Sequence, residues 1–150
     1  MLPRIILLAA GMLLLTQLAE SYSSRCRTGW SSYRHNCYLV IKDRQSWTGA
    51  QVVCEMLNAN LATITSSSEN SAVARMVKSA GAYDAWVGLN DFAKEGSFHG
   101  IKSSSRASYT CWKSGQPNNF GGNQNCAALY SNMFWHDDNC SLSKMFVCEY

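Results

Sequence analysis

Gln116-Pro117-Asn118, followed by Gln124, Cys126, Trp135-His136-Asp137, Cys140 and Cys148, is where this chain concentrates side chains able to do chemistry. A proline between two amides makes a tight turn that displays side-chain oxygens, and a cis bond there turns both toward one point. Oxygens gathered in this way suit a hard cation, which takes about 6–8 of them, and a polyhydroxy ligand. Each amide can donate as well as accept. Cys126, Cys140 and Cys148 would fix the turn against the short polar segment that ends at Asp137. Catalysis has less support. His35, His99 and His136 form no recognisable triad with a Ser or Cys, and Asp137-Asp138 alone suggests no glycosidase pair. Nor does His136, with no Cys or His neighbour free to coordinate, suggest zinc.

The elements that must position these residues are legible from periodicity. Gly29–Tyr33 and Cys37–Ile41 read as two short strands about a polar turn at Arg34-His35-Asn36, and Cys26 with Cys37 could clamp that hairpin. Trp47, Ala50, Cys54 and Leu57 mark one face of a first helix, with Ser46 as its N-cap and Asn58 to Asn60 as its end. Leu61–Ile64 is then a short extended piece. Ser66 and Glu69 form a capping-box pattern ahead of a second helix whose apolar stripe is Val73, Met76, Val77 and Ala80. Trp86–Leu89 reads as a buried strand. The stretch from Asn90 to Asn125 is a long loop, ordered by Trp112 and Phe120, of the kind that commonly carries function. Cys126–Tyr130, Met133–Trp135 and Met145–Cys148 read as strands. Two helices, a long loop and then strands give an α+β domain.

The chain has 150 residues, seven cysteines and a net charge of +3. Met1–Arg4 followed by the apolar run Ile5–Leu15 reads as a signal peptide over residues 1–23, cleaved near 21–23, with an uncleaved anchor as the alternative. That run is short for a membrane span, so membrane insertion is not expected, and residues 24–150 form one secreted, extracellular domain. An odd cysteine count in such a domain reads as a disulfide framework plus one leftover thiol. Nucleic acid is not an expected partner for a cystine-rich secreted chain.

The ordered set resembles the C-type lectin family: the N-terminal cysteine hairpin, the helix with Cys54, Leu61–Ile64, Ser68-Glu69-Asn70, Trp86-Val87-Gly88-Leu89, Gln116-Pro117-Asn118, Trp135-x-Asp137, and Cys140 with Cys148. The resemblance runs from about Cys26 to the C-terminus. It implies a C-type lectin-like fold with two helices, two small antiparallel sheets and a long ordered loop. It also implies bridges Cys26–Cys37, Cys54–Cys148 and Cys126–Cys140, leaving Cys111 unpaired or in an interchain bond to a homodimer or heterodimer partner.

The resemblance further implies a Ca2+ and sugar site on Gln116, Asn118, Gln124, His136 and Asp137, with a second calcium site on Asp91, Glu95, Asn119 and Asn125. The family usually has Glu where Gln124 stands, Asn where His136 stands, and one acid in the triplet. Losing two carboxylates weakens a site type that already sits at dissociation constants of about 10⁻⁴–10⁻³ M. If His136 lies on the site, binding should weaken as pH falls through about 6.5. A triplet of two amides implies relaxed choice between galactose- and mannose-type glycans. Phe120 lies where galactose binders often place a stacking aromatic, which leans the reading to galactose or N-acetylgalactosamine; packing inside the loop is its other reading. The rival function is a domain of the same fold that binds protein, mineral or ice instead of sugar.

Overall fold

The computed structural model describes residues 26–150 apart from 102 and 104, so the signal segment 1–23 and its cleavage point lie outside the described residues. Strands β1 (Ser31–Tyr33) and β2 (Asn36–Gln45) form the hairpin, turning at Arg34, whose φ is 53°. Helix α1 (Trp47–Met56) starts at the Ser46 cap, where Ser46 Oγ accepts from Gly49 N at 3.2 Å. Helix α2 (Ser67–Ser79) starts at Ser66, whose Oγ accepts from Glu69 N at 3.3 Å. Glu69 reaches back to Thr65 N at 2.7 Å, one residue beyond the reciprocal contact of a standard capping box, and also accepts from the Tyr38 hydroxyl.

Between and after the helices lie β3 (Asn60–Leu61), β4 (Asp84–Asn90), β5 (His99–Gly100), β6 (Cys126–Tyr130), β7 (Trp135–Asp138) and β8 (Lys144–Glu149). The α+β class stands. The two antiparallel ladders join in one sheet of order β1-β2-β8-β4-β6-β7, because β4 and β8 meet in parallel at Ala85↔Met145 and Trp86↔Phe146. Of the expected extended piece Leu61–Ile64 only Leu61 lies in a strand, which begins one residue earlier at Asn60.

Period-two alternation explains why each helix covers its own face of the sheet. Trp86, Cys126, Ala128, Phe146 and Cys148 point to α1, while Ala85, Val87, Ala127, Leu129 and Val147 point to α2. The three expected bridges are formed, Cys26–Cys37, Cys54–Cys148 and Cys126–Cys140. Cys111 is a free thiol, half-buried against the α2-side core.

Gly88 on β4 is where the packing against Leu61 allows nothing larger. A Cβ there would sit 2.4 Å from the Leu61 carbonyl oxygen, while Gly88 N donates to Ala62 O at 2.7 Å. Gly88→Ala should therefore separate β4 from the Leu61–Ala62 backbone and cost about 1–3 kcal/mol, read as a lower urea midpoint. An unchanged midpoint would contradict this packing.

Candidate functional site

The long loop is ordered by aromatic packing, as expected for Trp112 but not for Phe120. Trp112 sits 4.6 Å from Phe98 and 5.7 Å from Trp135, ring centre to ring centre. Phe120 is 77% exposed, so its loop-packing reading is overturned and its ring stands in water. The strand expected at Met133–Trp135 is also corrected. Met133 has φ 76° and donates to Tyr130 O at 2.9 Å, so residues 131–134 form the turn and β7 begins at Trp135. That shift puts His136 and Asp137 on the strand itself.

Trp135 anchors β7. Its Nε1 donates to the buried Asn70 Oδ1 at 2.7 Å, and Asn70 Nδ2 donates to Met133 O at 2.8 Å. Asn70 was not expected to matter here, yet a polar residue at the head of the Val73–Val77 stripe was a visible signal. With Trp135 inward, Asp137 points inward two residues later and is 1% exposed.

The Gln116–Pro117 bond is cis, and Gln116, Asn118, Gln124 and Asp137 converge on one loop. Asp137 accepts from Asn118 N at 3.0 and 3.1 Å through its two oxygens, and from Asn119 N at 2.6 Å. Phe120 N donates to Asn118 Oδ1 at 3.1 Å and to Gln124 Oε1 at 2.8 Å. Gln124 N in turn donates to Asn119 Oδ1 at 2.9 Å. Gln116 Oε1 is buried without a hydrogen-bond partner.

His136 stacks on Tyr130 at 4.1 Å between ring centres. Burial lowers its pKa below the ordinary value, with Asp138 opposing and Lys113 assisting. Its titration therefore lies lower than the sequence suggested. Tyr130 donates to Asp138 Oδ2 at 3.2 Å, and Lys144 lies 3.1 Å from the same carboxylate.

The donor chemistry tests the implied calcium. Among Gln116, Asn118, Gln124, His136 and Asp137 there is one carboxylate, and it already accepts from Asn118 N and Asn119 N. The Asn118 and Gln124 carbonyls each accept a hydrogen bond as well, and a single carboxylate among neutral donors brings little charge to a cation that needs about 6–8 oxygens. These residues do not fit the ion.

The second set keeps two carboxylates, Asp91 and Glu95. Asp91 is 2% exposed, with Oδ2 accepting from Gly96 N at 2.7 Å and Oδ1 unpartnered. Asn119 Oδ1 accepts from Gln124 N, and the main-chain carbonyl of Asn125 accepts from Asp91 N at 3.1 Å. The Asp91 carboxyl is raised, by burial first and then by the charge of Asp137. Glu95 is raised too, by lost hydration and then by Asp91 and Asp137. Among the described residues no group of three His, Cys, Asp or Glu side chains is gathered to hold a metal. No described helix is long and apolar enough to cross a membrane.

Comparison with known proteins gives the architecture its context. The model of the lectin C-type domain matches residues 43–150. A perlucin-like protein of Mytilus galloprovincialis is 35% identical over 128 residues, covering 82% of this chain and 81% of that one. Collectin-11 of Danio rerio is 32% identical over 113 residues, 75% of this chain but 42% of the collectin, so the match spans less than half of that relative. The mouse scavenger receptor C-type lectin carbohydrate-recognition domain superposes with a TM-score of 0.78 at 27% identity, covering 83% of this chain and 97% of that domain. The sheet order, the three bridges, the cis-proline turn and these matches agree, and the chain belongs to the C-type lectin domain family, whose fold serves carbohydrate binding and is not enzymatic.

Proposed function

We propose that this chain is a secreted lectin that binds glycans directly through the rim formed by Gln116, Asn118 and Phe120, with galactose or N-acetylgalactosamine preferred to mannose-type sugars. The observation that carries this reading is Phe120, 77% exposed and two residues beyond a cis-proline turn flanked by amides. A bare aromatic ring can stack on the apolar face of a sugar, while amides beside it exchange hydrogen bonds with hydroxyls. Asn118 keeps its NH2 for such a ligand, since its oxygen is engaged with Phe120 N. Three disulfides support an oxidising, extracellular setting. Half-burial of Cys111 against the core favours a thiol that stays within the chain over an interchain bond.

A glycan array, run with calcium and with chelator, tests the reading. Signal should concentrate on galactose-type glycans. Phe120→Ala should weaken it roughly 2- to 12-fold, the loss of one stacking contact of about 0.5–1.5 kcal/mol, without moving the melting temperature. Silence from folded protein would favour the protein-, mineral- or ice-binding alternative, which the poor calcium fit also supports.

A further inference from the structure

We propose that Asp137 is an internal latch: it closes the loop that carries Gln116–Asn118 by binding the loop's own N–H groups, so the surface is built without calcium. The carboxylate accepts from two successive backbone amides, Asn118 N at 3.0 and 3.1 Å and Asn119 N at 2.6 Å. Asn119 lies at φ 44°, a left-handed turn that aims consecutive N–H groups at one point. Such a backbone concavity binds an anion, and here the anion belongs to the chain. A second layer secures the same segment. Asn119 Oδ1 takes Gln124 N at 2.9 Å, Gln124 Oε1 takes Phe120 N at 2.8 Å, and Gly122 N donates to Asn119 O at 2.9 Å.

Asp137 is itself held from behind, paired with Ala127 in the sheet and two residues beyond the Trp135–Asn70 anchor. A cation entering this site would compete with charge-assisted N–H contacts to a buried carboxylate, and amides at Gln116 and Gln124 bring no charge to compensate. Asp137 is thus a positioning residue for the proposed glycan surface and touches no ligand itself.

Hydrogen exchange of the Asn118, Asn119 and Phe120 amides, followed by NMR in excess calcium and in chelator, tests the latch. The rates should be equal in the two conditions. Asp137→Asn should speed Asn118 and Asn119 about tenfold or more, the loss of a hydrogen bond to a charged acceptor, while the Trp86 and Val87 amides stay protected as a folding control. Gln124→Ala should speed Phe120 and leave Asn118 unchanged. Slowing of these three amides by calcium overturns the proposal, as does normal protection in Asp137→Asn. If Asp137→Asn fails to fold, the wild-type comparison with and without calcium decides alone. No readout uses a glycan, so failure of the latch and failure of the lectin reading are seen separately.

Discussion

Removing the Cys54–Cys148 bridge, by Cys54→Ala together with Cys148→Ala, is expected to destabilise the domain by about 4–5 kcal/mol. For a domain of this size that lowers the melting temperature by roughly 15 °C or more. The bridge closes a separation of 94 residues, against 14 for Cys126–Cys140 and 11 for Cys26–Cys37. Loop-closure entropy withheld from the unfolded chain grows with that separation, so losses should rank in the same order. Native packing adds to the effect, since Cys54 and Cys148 are fully buried among Trp47, Ala50, Trp86 and Phe146. Thermal and urea unfolding of the three double variants would show the ranking. A Cys54–Cys148 loss no larger than the Cys26–Cys37 loss would sink it. The middle bridge should differ in kind, because Cys126 lies two residues after Gln124 and fixes the end of the proposed glycan loop.

What was legible in the sequence was local or periodic. Ser46 and Ser66 cap their helices because a hydroxyl three residues ahead of an N–H needs no tertiary help. The stripes on α1 and α2 and the run Trp86–Leu89 follow from spacing alone. What was not legible depends on partners far along the chain. The start of β7 shifted because Met133 takes a left-handed conformation within a turn locked by Asn70, 63 residues away. Of the residues that the resemblance proposed for calcium, Asn118, Asn119, Gln124 and Asp137 share one hydrogen-bonded loop closure. Which way their oxygens face was not accessible, because Asp137 is satisfied by amides 18 and 19 residues earlier. Phe120 was ambiguous for a related reason. An aromatic inside a loop packs or protrudes according to the loop's hydrogen bonds, and here Asn118 and Gln124 tie down its backbone and leave the ring outside.

Lys144→Ala is expected to cost about 3–5 kcal/mol, more than any surface charge could, because it leaves carboxylates uncompensated in a nearly dry place. Lys144 is 8% exposed, its ammonium contacts Asp84 and lies 3.1 Å from Asp138, and both acids are mostly covered. Asp138 also accepts from Tyr130, whose pKa is raised by burial and then by Asp138 and Asp84. The ammonium therefore balances two acids from β4 and β7 while lying 5.2 Å from the centre of the Trp86 ring. Lys144→Met keeps most of the apolar stem but not the charge, so it should recover little. Adding Asp84→Asn and Asp138→Asn to Lys144→Met should recover much of the loss, because the penalty lies in the unpaired charges rather than in the missing contact. Urea unfolding of this series decides the matter. If Lys144→Met alone restored stability, packing and not charge would be the cause. The consequence extends to one ring: Tyr130 is the platform on which His136 stacks. Because Tyr130 donates to the same Asp138 that Lys144 neutralises, Lys144→Ala should also loosen the ring against which His136 packs.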